Sequence, residues 1–228
     1  MSGIYTNGTY LENAPSWNAE DSQWKAVQIR RLLDRNRITP STVAEIGCGA
    51  GVVLLELSKV FDQTTFKGYD ISPQAIDLCK WNERAEFFCR DLLAEQSRFD
   101  LLLAVDVFEH VPDYLGFLRQ CKLKADYKIY HIPLDIHVSS VLRNTFFSQR
   151  YTVGHLHYFT ADSALATLKD TEHEIIDYFY TDAAFGVFKH HPSLKRAIAN
   201  VPRWIFSKLS VPFTARMFGG YSLLVLTR

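Results

Sequence analysis

Between Val43 and Gly51 the chain reads V-A-E-I-G-C-G-A-G, with glycines at 47, 49 and 51 between a β-branched, apolar run and an apolar stretch of helical character. Glycines at a strand-to-helix junction let the backbone turn tightly and approach a ligand where a Cβ would collide. A dinucleotide fingerprint places its third glycine three residues after the second. Val52 holds that place here, and no Lys-Ser/Thr pair follows to complete a P-loop, so a pyrophosphate cradle is the weaker reading. Asp70 ends the run F-K-G-Y-D, 19 residues beyond Gly51, and Asp91 ends F-F-C-R-D. A carboxylate at the first place can accept both hydroxyls of a ribose, as in NAD and adenosine sites, and one at the second can take an adenine amino group. Histidine, which titrates nearest neutrality, is the natural proton acceptor. His110 follows F-D-L-L-L-A-V-D-V-F-E, His131 lies in Y-H-I-P-L-D, and His155 and His157 lie in G-H-L-H-Y-F-T. All four are candidates for a base. His110 could equally organise its loop, and His157 could cap or pack a helix.

These groups converge only if the chain places them at one edge of a sheet. Residues 20–37 read as a helix, acidic at its start and basic at its end, as the macrodipole favours, and Pro40 stops it. Strands are expected at Thr42–Ile46, Thr65–Tyr69, Ala85–Cys89, Asp100–Val105 and Tyr127–Ile132. Helices are expected at Val52–Val60, Pro73–Trp81 and Asp113–Cys121. The strands show little alternation of apolar and polar residues, the mark of a parallel sheet covered on both faces. This predicts a doubly wound α/β fold, whose ligands bind beyond the carboxyl ends of the strands. A helix at Ala161–Lys169 and strands at Glu174–Tyr180 and Tyr221–Thr227 complete the pattern. Two long connections, 133–158 and 183–218, are expected as lids.

Composition narrows the class. Of 228 residues 47% are hydrophobic and 14% aromatic, which excludes a disordered chain, and 25 basic residues balance 25 acidic ones, which disfavours a nucleic-acid binder. No apolar run approaches the ~20 residues of a membrane span, and the first residues lack the basic and apolar pattern of a signal peptide. The four cysteines form no C-x-x-C pair and no zinc spacing. A cytoplasmic protein with free thiols is the expectation.

Taken together, E-I-G-C-G-A-G, Y-D-I-S, R-D-L-L and F-D-L-L-L-A-V-D-V-F-E-H-V-P-D resemble the motifs of class I S-adenosylmethionine-dependent methyltransferases, from about Val43 to Ile132 and more weakly beyond. The resemblance implies a Rossmann-like, seven-stranded, mostly parallel sheet closed by an antiparallel C-terminal hairpin, here under a helical cap. It implies a leader over 1–40 and a methyltransferase domain over 41–228. S-adenosyl-L-methionine is the implied cofactor and a small molecule the implied methyl acceptor. By the same resemblance Glu45 and the glycines Gly47, Gly49 and Gly51 hold the methionine part, Asp70 the ribose, and Ile71 and Leu92 flank adenine. Asp91 reaches the adenine amino group, and Asp106 borders the methyl-donor end. Trp17 or Trp24 could close over the cofactor, although packing of a helix suits each better. Asp106, Glu109 and His110 on one helical turn form a conceivable metal set; no metal is assigned.

Such a transfer is a direct displacement needing alignment, exclusion of water and, for a hydroxyl, amine or acidic carbon, a base. A non-catalytic cofactor-binding module and a nicotinamide-dependent oxidoreductase are the alternatives. After Asp182 the chain holds seven basic residues and no acidic one. Within 189–218, Leu194, Ile198, Val201, Ile205 and Leu209 recur at helical spacing, with Pro202 expected to divide the run into two helices. This stretch reads first as a cap packed on the core. A sharper reading is recognition of an anionic or lipid-like acceptor, or transient docking on an anionic membrane through Trp204, Phe206 and Phe213. Arg143, Arg150 or a basic residue of the stretch is expected to hold an anionic group of the acceptor.

Overall fold

The computed structural model describes residues 12, 16, 17, 19–184 and 194–228, with the backbone alone over 194–199. Lys189 and the rest of 185–193, with most of the first eighteen residues, lie outside it. In chain order the elements are α1 (Ala19–Asn36), β1 (Thr42–Ile46), α2 (Val52–Ser58), β2 (Thr65–Asp70), α3 (Pro73–Asp77) and β3 (Ala85–Cys89). After these come β4 (Phe99–Val105), α4 (Tyr114–Lys122), β5 (Ala125–Pro133), α5 (Val138–Arg143) and α6 (Phe146–Thr152). The chain closes with α7 (Ala161–Asp170), β6 (Ile175–Thr181), α8 (Leu194–Ser207), α9 (Val211–Phe218) and β7 (Ser222–Thr227). The strands form one sheet in the order β3-β2-β1-β4-β5-β7-β6. β1 to β5 are parallel, β7 runs antiparallel to β5, and β6 antiparallel to β7.

Both faces of the sheet are buried, which is why its strands read as apolar runs. In β4, Leu101, Leu103 and Val105 join the layer containing Ile29, Leu32, Leu54 and Leu57 of α1 and α2. Leu102 and Ala104 join the opposite layer, with Phe117 and Leu118 of α4 and Leu168 of α7. β7 divides likewise, Leu223 and Val225 to one side and Leu224 and Leu226 to the other. The period of two thus survives as a choice between two cores rather than between core and water.

Element ends differ from the expectations where local chemistry intervenes. α3 stops at Asp77 instead of running to Trp81, whose exposed ring packs edge-on against Phe87 and Phe88. α4 starts after Asp113, whose side chain accepts the Gly116 N–H as an N-cap. The expected break at Pro202 does not occur, and α8 continues through it to Ser207. Proline removes one helical hydrogen bond. Packing against α9 holds the helix together: Phe206 lies against Phe213 and Phe218, and Arg203 donates to the Phe218 carbonyl. The connection 133–158 holds two short helices, α5 and α6. Among the described residues no helix is long and apolar enough to cross a membrane.

Candidate active site

A cleft of about 710 Å³ opens at the carboxyl ends of the parallel strands, where a doubly wound sheet receives its ligand. Its floor is the glycine loop. Gly47 and Gly49 have φ of +69° and +54°, and a Cβ on either would come within 2.7 Å of Val107 or of the Trp17 indole. Both glycines line the cleft. Gly51 does not: at φ +72° it caps α2, and a Cβ there would overlap the Phe87 ring, so its requirement is packing and turn geometry.

Asp70 is buried on the cleft wall, where its two oxygens accept the Gly49 and Ser72 N–H groups at 3.0 and 2.9 Å. Burial pushes its carboxyl up, and those amides oppose the rise. Each oxygen keeps a lone pair for a further donor. Glu45, at the end of β1, is buried, and its Oε2 has no hydrogen-bond partner among the described residues. Burial raises its carboxyl well above the usual range, against the pull of Lys25. Ile71 and Asp91 line the cleft, with Asp91 also accepting the Leu93 N–H. Leu92, expected against adenine, is wholly buried in the core, and Leu93 lines the cleft instead. The single turn of 3-10 helix over Leu92–Ala94 rotates successive residues to different sides, which strand-end counting does not resolve.

Asp106 follows β4 with φ +53°, and its carboxylate is shared: Oδ1 accepts from His131 Nδ1 at 2.6 Å and Oδ2 pairs with Lys25 of α1 at 2.7 Å. Burial works against its charge, but His131 and Lys25 outweigh it and hold the carboxyl well below the usual range. Its commitment to these partners takes Asp106 out of the conceivable metal set. Glu109, His110 and His155 are what gather there, one donor atom of each within 4.8 Å of the others. Glu109 is fully buried, neither oxygen has a hydrogen bond among the described residues, and Oε1 lies 3.8 Å from His110 Nε2; burial followed by the Asp106 charge raises its carboxyl well above the usual range.

The four histidines separate. His131 is buried with both nitrogens engaged, Nδ1 by Asp106 and Nε2 by the Thr181 hydroxyl at 3.0 Å. His157 does not line the cleft; its Nε2 meets the Val111 carbonyl at 3.0 Å and its ring packs on Tyr114. That bond places the hydrogen on Nε2 and holds the loop, and the ring stands away from the cleft. His110 and His155 both line the cleft, their rings edge-on with centroids 4.9 Å apart. His110 gives its Nδ1 hydrogen to the Gly154 carbonyl, and burial, then the neighbouring His155, pushes it down to about 4.

A family profile described as a methyltransferase domain matches residues 21–177, more than half the chain. The chain belongs to that family. Among curated proteins, the chain is 26% identical over 103 residues to a ubiquinone biosynthesis O-methyltransferase of Coxiella burnetii, a match covering 42% of this chain and 43% of that protein. It thus spans less than half the length of that relative. Its fold is similar to that of a magnesium protoporphyrin IX methyltransferase from Synechocystis PCC 6803 solved with bound S-adenosylhomocysteine, at a TM-score of 0.60 and 15% identity, covering 91% of this chain and 83% of that one. An N-methyltransferase from Bradyrhizobium japonicum WM9 gives 0.55 and 14%, covering 90% and 85%.

The expected anion-holding arginines stand elsewhere. Arg143 and Arg150 do not line the cleft, Arg203 is bound to Asn200 and Phe218, and Arg216 pairs with Asp162 at 2.7 Å. The Arg203 bonds fasten the cap internally, and the Arg216 pair ties it to α7. Lys195 and Arg196 fall where only the backbone is described. The basic groups on the cleft are Lys25 and Arg90, among Asp21, Asp70, Asp91, Asp106 and Asp113. Both tryptophans reach the cleft: Trp17 over Gly49, and Trp24 edge-on to His131. Lys25 and Asp135 were missed by sequence reasoning. Asp135 ends H-I-P-L-D as Asp70 ends its strand, and the same strand-end rule would have flagged it. Lys25 carried no signal, because its place depends on how α1 lies across the strand ends.

Proposed function

We propose that this methyltransferase takes S-adenosyl-L-methionine in the strand-end cleft and methylates a small-molecule acceptor. The observation that carries the reading is the buried Glu45 carboxylate oxygen, without a hydrogen-bond partner among the described residues, beside the two cleft-lining glycines of the loop. An ammonium group is the donor that such an oxygen lacks, and methionine has one. Gly47 and Gly49 leave room for the methionine chain. Asp70 accepts ribose hydroxyls, Asp91 the adenine amino group, and Ile71 and Leu93 cover the base. The acidic lining suits a cofactor with a sulfonium charge. For the same reason it favours a neutral or cationic acceptor over the anionic one read from the charge asymmetry.

The cofactor supplies an activated methyl group and needs no acid to release it. The chain's own part is to align the acceptor, exclude water with Trp17 and Trp24, and receive a proton. His110 and His155, on the far wall, are the histidines placed for that last task. Calorimetric titration with S-adenosylmethionine, S-adenosylhomocysteine and NAD tests the reading. Binding of the first two with no NAD signal is expected; tight NAD binding without the others overturns it.

The cap adds a partner to this reading. Trp204 on α8, Leu209 in the turn after it and Phe213 on α9 are exposed, with Lys208 in the same turn, in a stretch without a single acid, which suits transient contact with an anionic bilayer. Co-sedimentation with phosphatidylglycerol vesicles, lost in Trp204→Ala/Leu209→Ala and absent with phosphatidylcholine, is the expected result.

A further inference from the structure

Two cleft histidines have Nδ1 held by a carboxylate, and they differ at the other nitrogen: Thr181 takes Nε2 of His131, whereas among the described residues no such bond takes Nε2 of His155. Its Nδ1 lies 2.6 Å from Asp135 Oδ2, and since a carboxylate only accepts, Nδ1 carries the hydrogen and Nε2 bears the lone pair. Asp135 is itself held: Oδ1 accepts from Gln149 Nε2 at 2.9 Å, and its backbone carbonyl accepts the Ser140 hydroxyl at 2.7 Å. Asp135 follows β5, Gln149 sits on α6, and the Gln149 carbonyl accepts the Val153 and Gly154 N–H groups just ahead of His155. The strand end, the lid helix and the loop after it thus close on one imidazole. Asp135 and Gln149 do not line the cleft; His155 does.

We propose that Asp135, braced by Gln149, positions His155 as the group that takes the acceptor's proton. This rests on the methyltransferase reading above and adds two positioning residues to it. As the acceptor's oxygen or nitrogen bonds to the methyl carbon, the carbon–sulfur bond breaks and sulfur keeps its electron pair. The acceptor's proton passes to His155 Nε2, giving an imidazolium whose Nδ1–H faces the Asp135 carboxylate, and then leaves to solvent. The fixed tautomer matters because an Nε2–H ring would present a donor where an acceptor is needed. Neighbouring groups do not duplicate the arrangement. His131 has both nitrogens bound, and His110, backed by a neutral carbonyl and pushed down to about 4, is a weak base at neutral pH. Glu109, enclosed beside both rings, has its charge disfavoured by burial.

Ring-nitrogen NMR of ¹⁵N-histidine-labelled protein with S-adenosylhomocysteine bound tests the positioning without an acceptor. Neutral His155 is expected to carry its hydrogen on Nδ1 in the wild type and to shift toward the Nε2–H form in Asp135→Ala. An Nε2–H ring in the wild type, or a tautomer unmoved by Asp135→Ala, overturns the proposal. S-adenosylhomocysteine affinity should stay within about twofold in Asp135→Ala and His155→Ala, since neither residue is assigned to the cofactor. Failure of the wild type to bind it would overturn the methyltransferase reading instead. Turnover is read as S-adenosylhomocysteine release with a panel of hydroxyl and amine acceptors. For whichever is methylated, His155→Ala should lower kcat by about 10²–10⁴-fold with KM for the methyl donor unchanged, and added imidazole should restore part of it. Asp135→Asn should lose about tenfold and Gln149→Ala less. Full kcat in His155→Ala, or turnover that falls on EDTA dialysis and returns with zinc or magnesium, would sink the idea.

Discussion

The cofactor end and the acceptor end of the cleft are built differently. Gly47, Gly49, Asp70 and Asp91 come from the turns after β1, β2 and β3, each within a few residues of its own strand end. Their placement follows once the strands pair in register, as Glu45 with Gly68 and Asp70 with Cys89 show. The acceptor end takes His110 from the turn after β4, Asp135 from beyond β5, Gln149 from α6 and His155 from the loop after it. Segments up to 45 residues apart in the chain must dock before that wall exists. Local motif specifies one half; long-range packing assembles the other. The cofactor end should therefore fail through single backbone or hydrogen-bond changes, and the acceptor end through loss of orientation.

The largest expected effect tests the cofactor end. Gly49→Val places a branched side chain at φ +54° and against Trp17, and S-adenosylhomocysteine affinity should fall by at least about 100-fold in calorimetry. Asp70→Ala comes next, costing about 1.5–3 kcal/mol for each hydrogen bond lost from a charged acceptor, with the circular dichroism spectrum retained. Unchanged affinity in a folded Asp70→Ala protein would break the assignment of the ribose.

Stability against pH sharpens the contrast, because Asp106 on the cleft and Glu109 buried near it are shifted in opposite directions. Asp106 is held below its unfolded value, so its contribution is present above that value and is lost as pH falls toward the folded one. Glu109 is raised in the fold, so the folded state is favoured below the unfolded value and loses ground as pH rises. Thermal melts should show Asp106→Asn losing less stability than wild type between about pH 4 and pH 2. Glu109→Gln should flatten the decline in Tm that sets in as pH rises above the unfolded carboxyl's value of about 4.3. A Glu109→Gln curve parallel to wild type would mean that the buried carboxyl is already matched by a partner.

The smallest effects concern residues outside the cleft. His157→Ala removes a hydrogen bond to the Val111 carbonyl and packing on Tyr114, and should cost about 1 kcal/mol of stability in urea melts with cofactor affinity unchanged. Arg143→Ala, at the end of α5 and away from the cleft, should leave both stability and cofactor affinity within about twofold. A strong loss of turnover there would restore the anionic acceptor.

The sequence by itself determined the order of strands and helices, the site at the strand ends, and the glycines and acids that stand there. Those are local consequences: apolar runs of strand length, a turn that only positive φ can make, and a carboxylate one step past a strand. The antiparallel pairing of β6 with β7 was legible only through resemblance to a family, since 183–218 separates the two strands. Tertiary structure alone decided which side of the 3-10 turn Leu92 and Leu93 occupy, and whether α8 survives Pro202 by packing on α9. It also decided which histidines keep a nitrogen facing the cleft. A histidine's role depends on what reaches its second nitrogen: Asp106 and Thr181 close His131, the Val111 carbonyl claims His157, and Asp135 aims His155. Those partners lie 20 to 50 residues away in the chain, beyond the reach of any periodicity, and only the docking of lid, strand ends and leader helix brings them within hydrogen-bond distance.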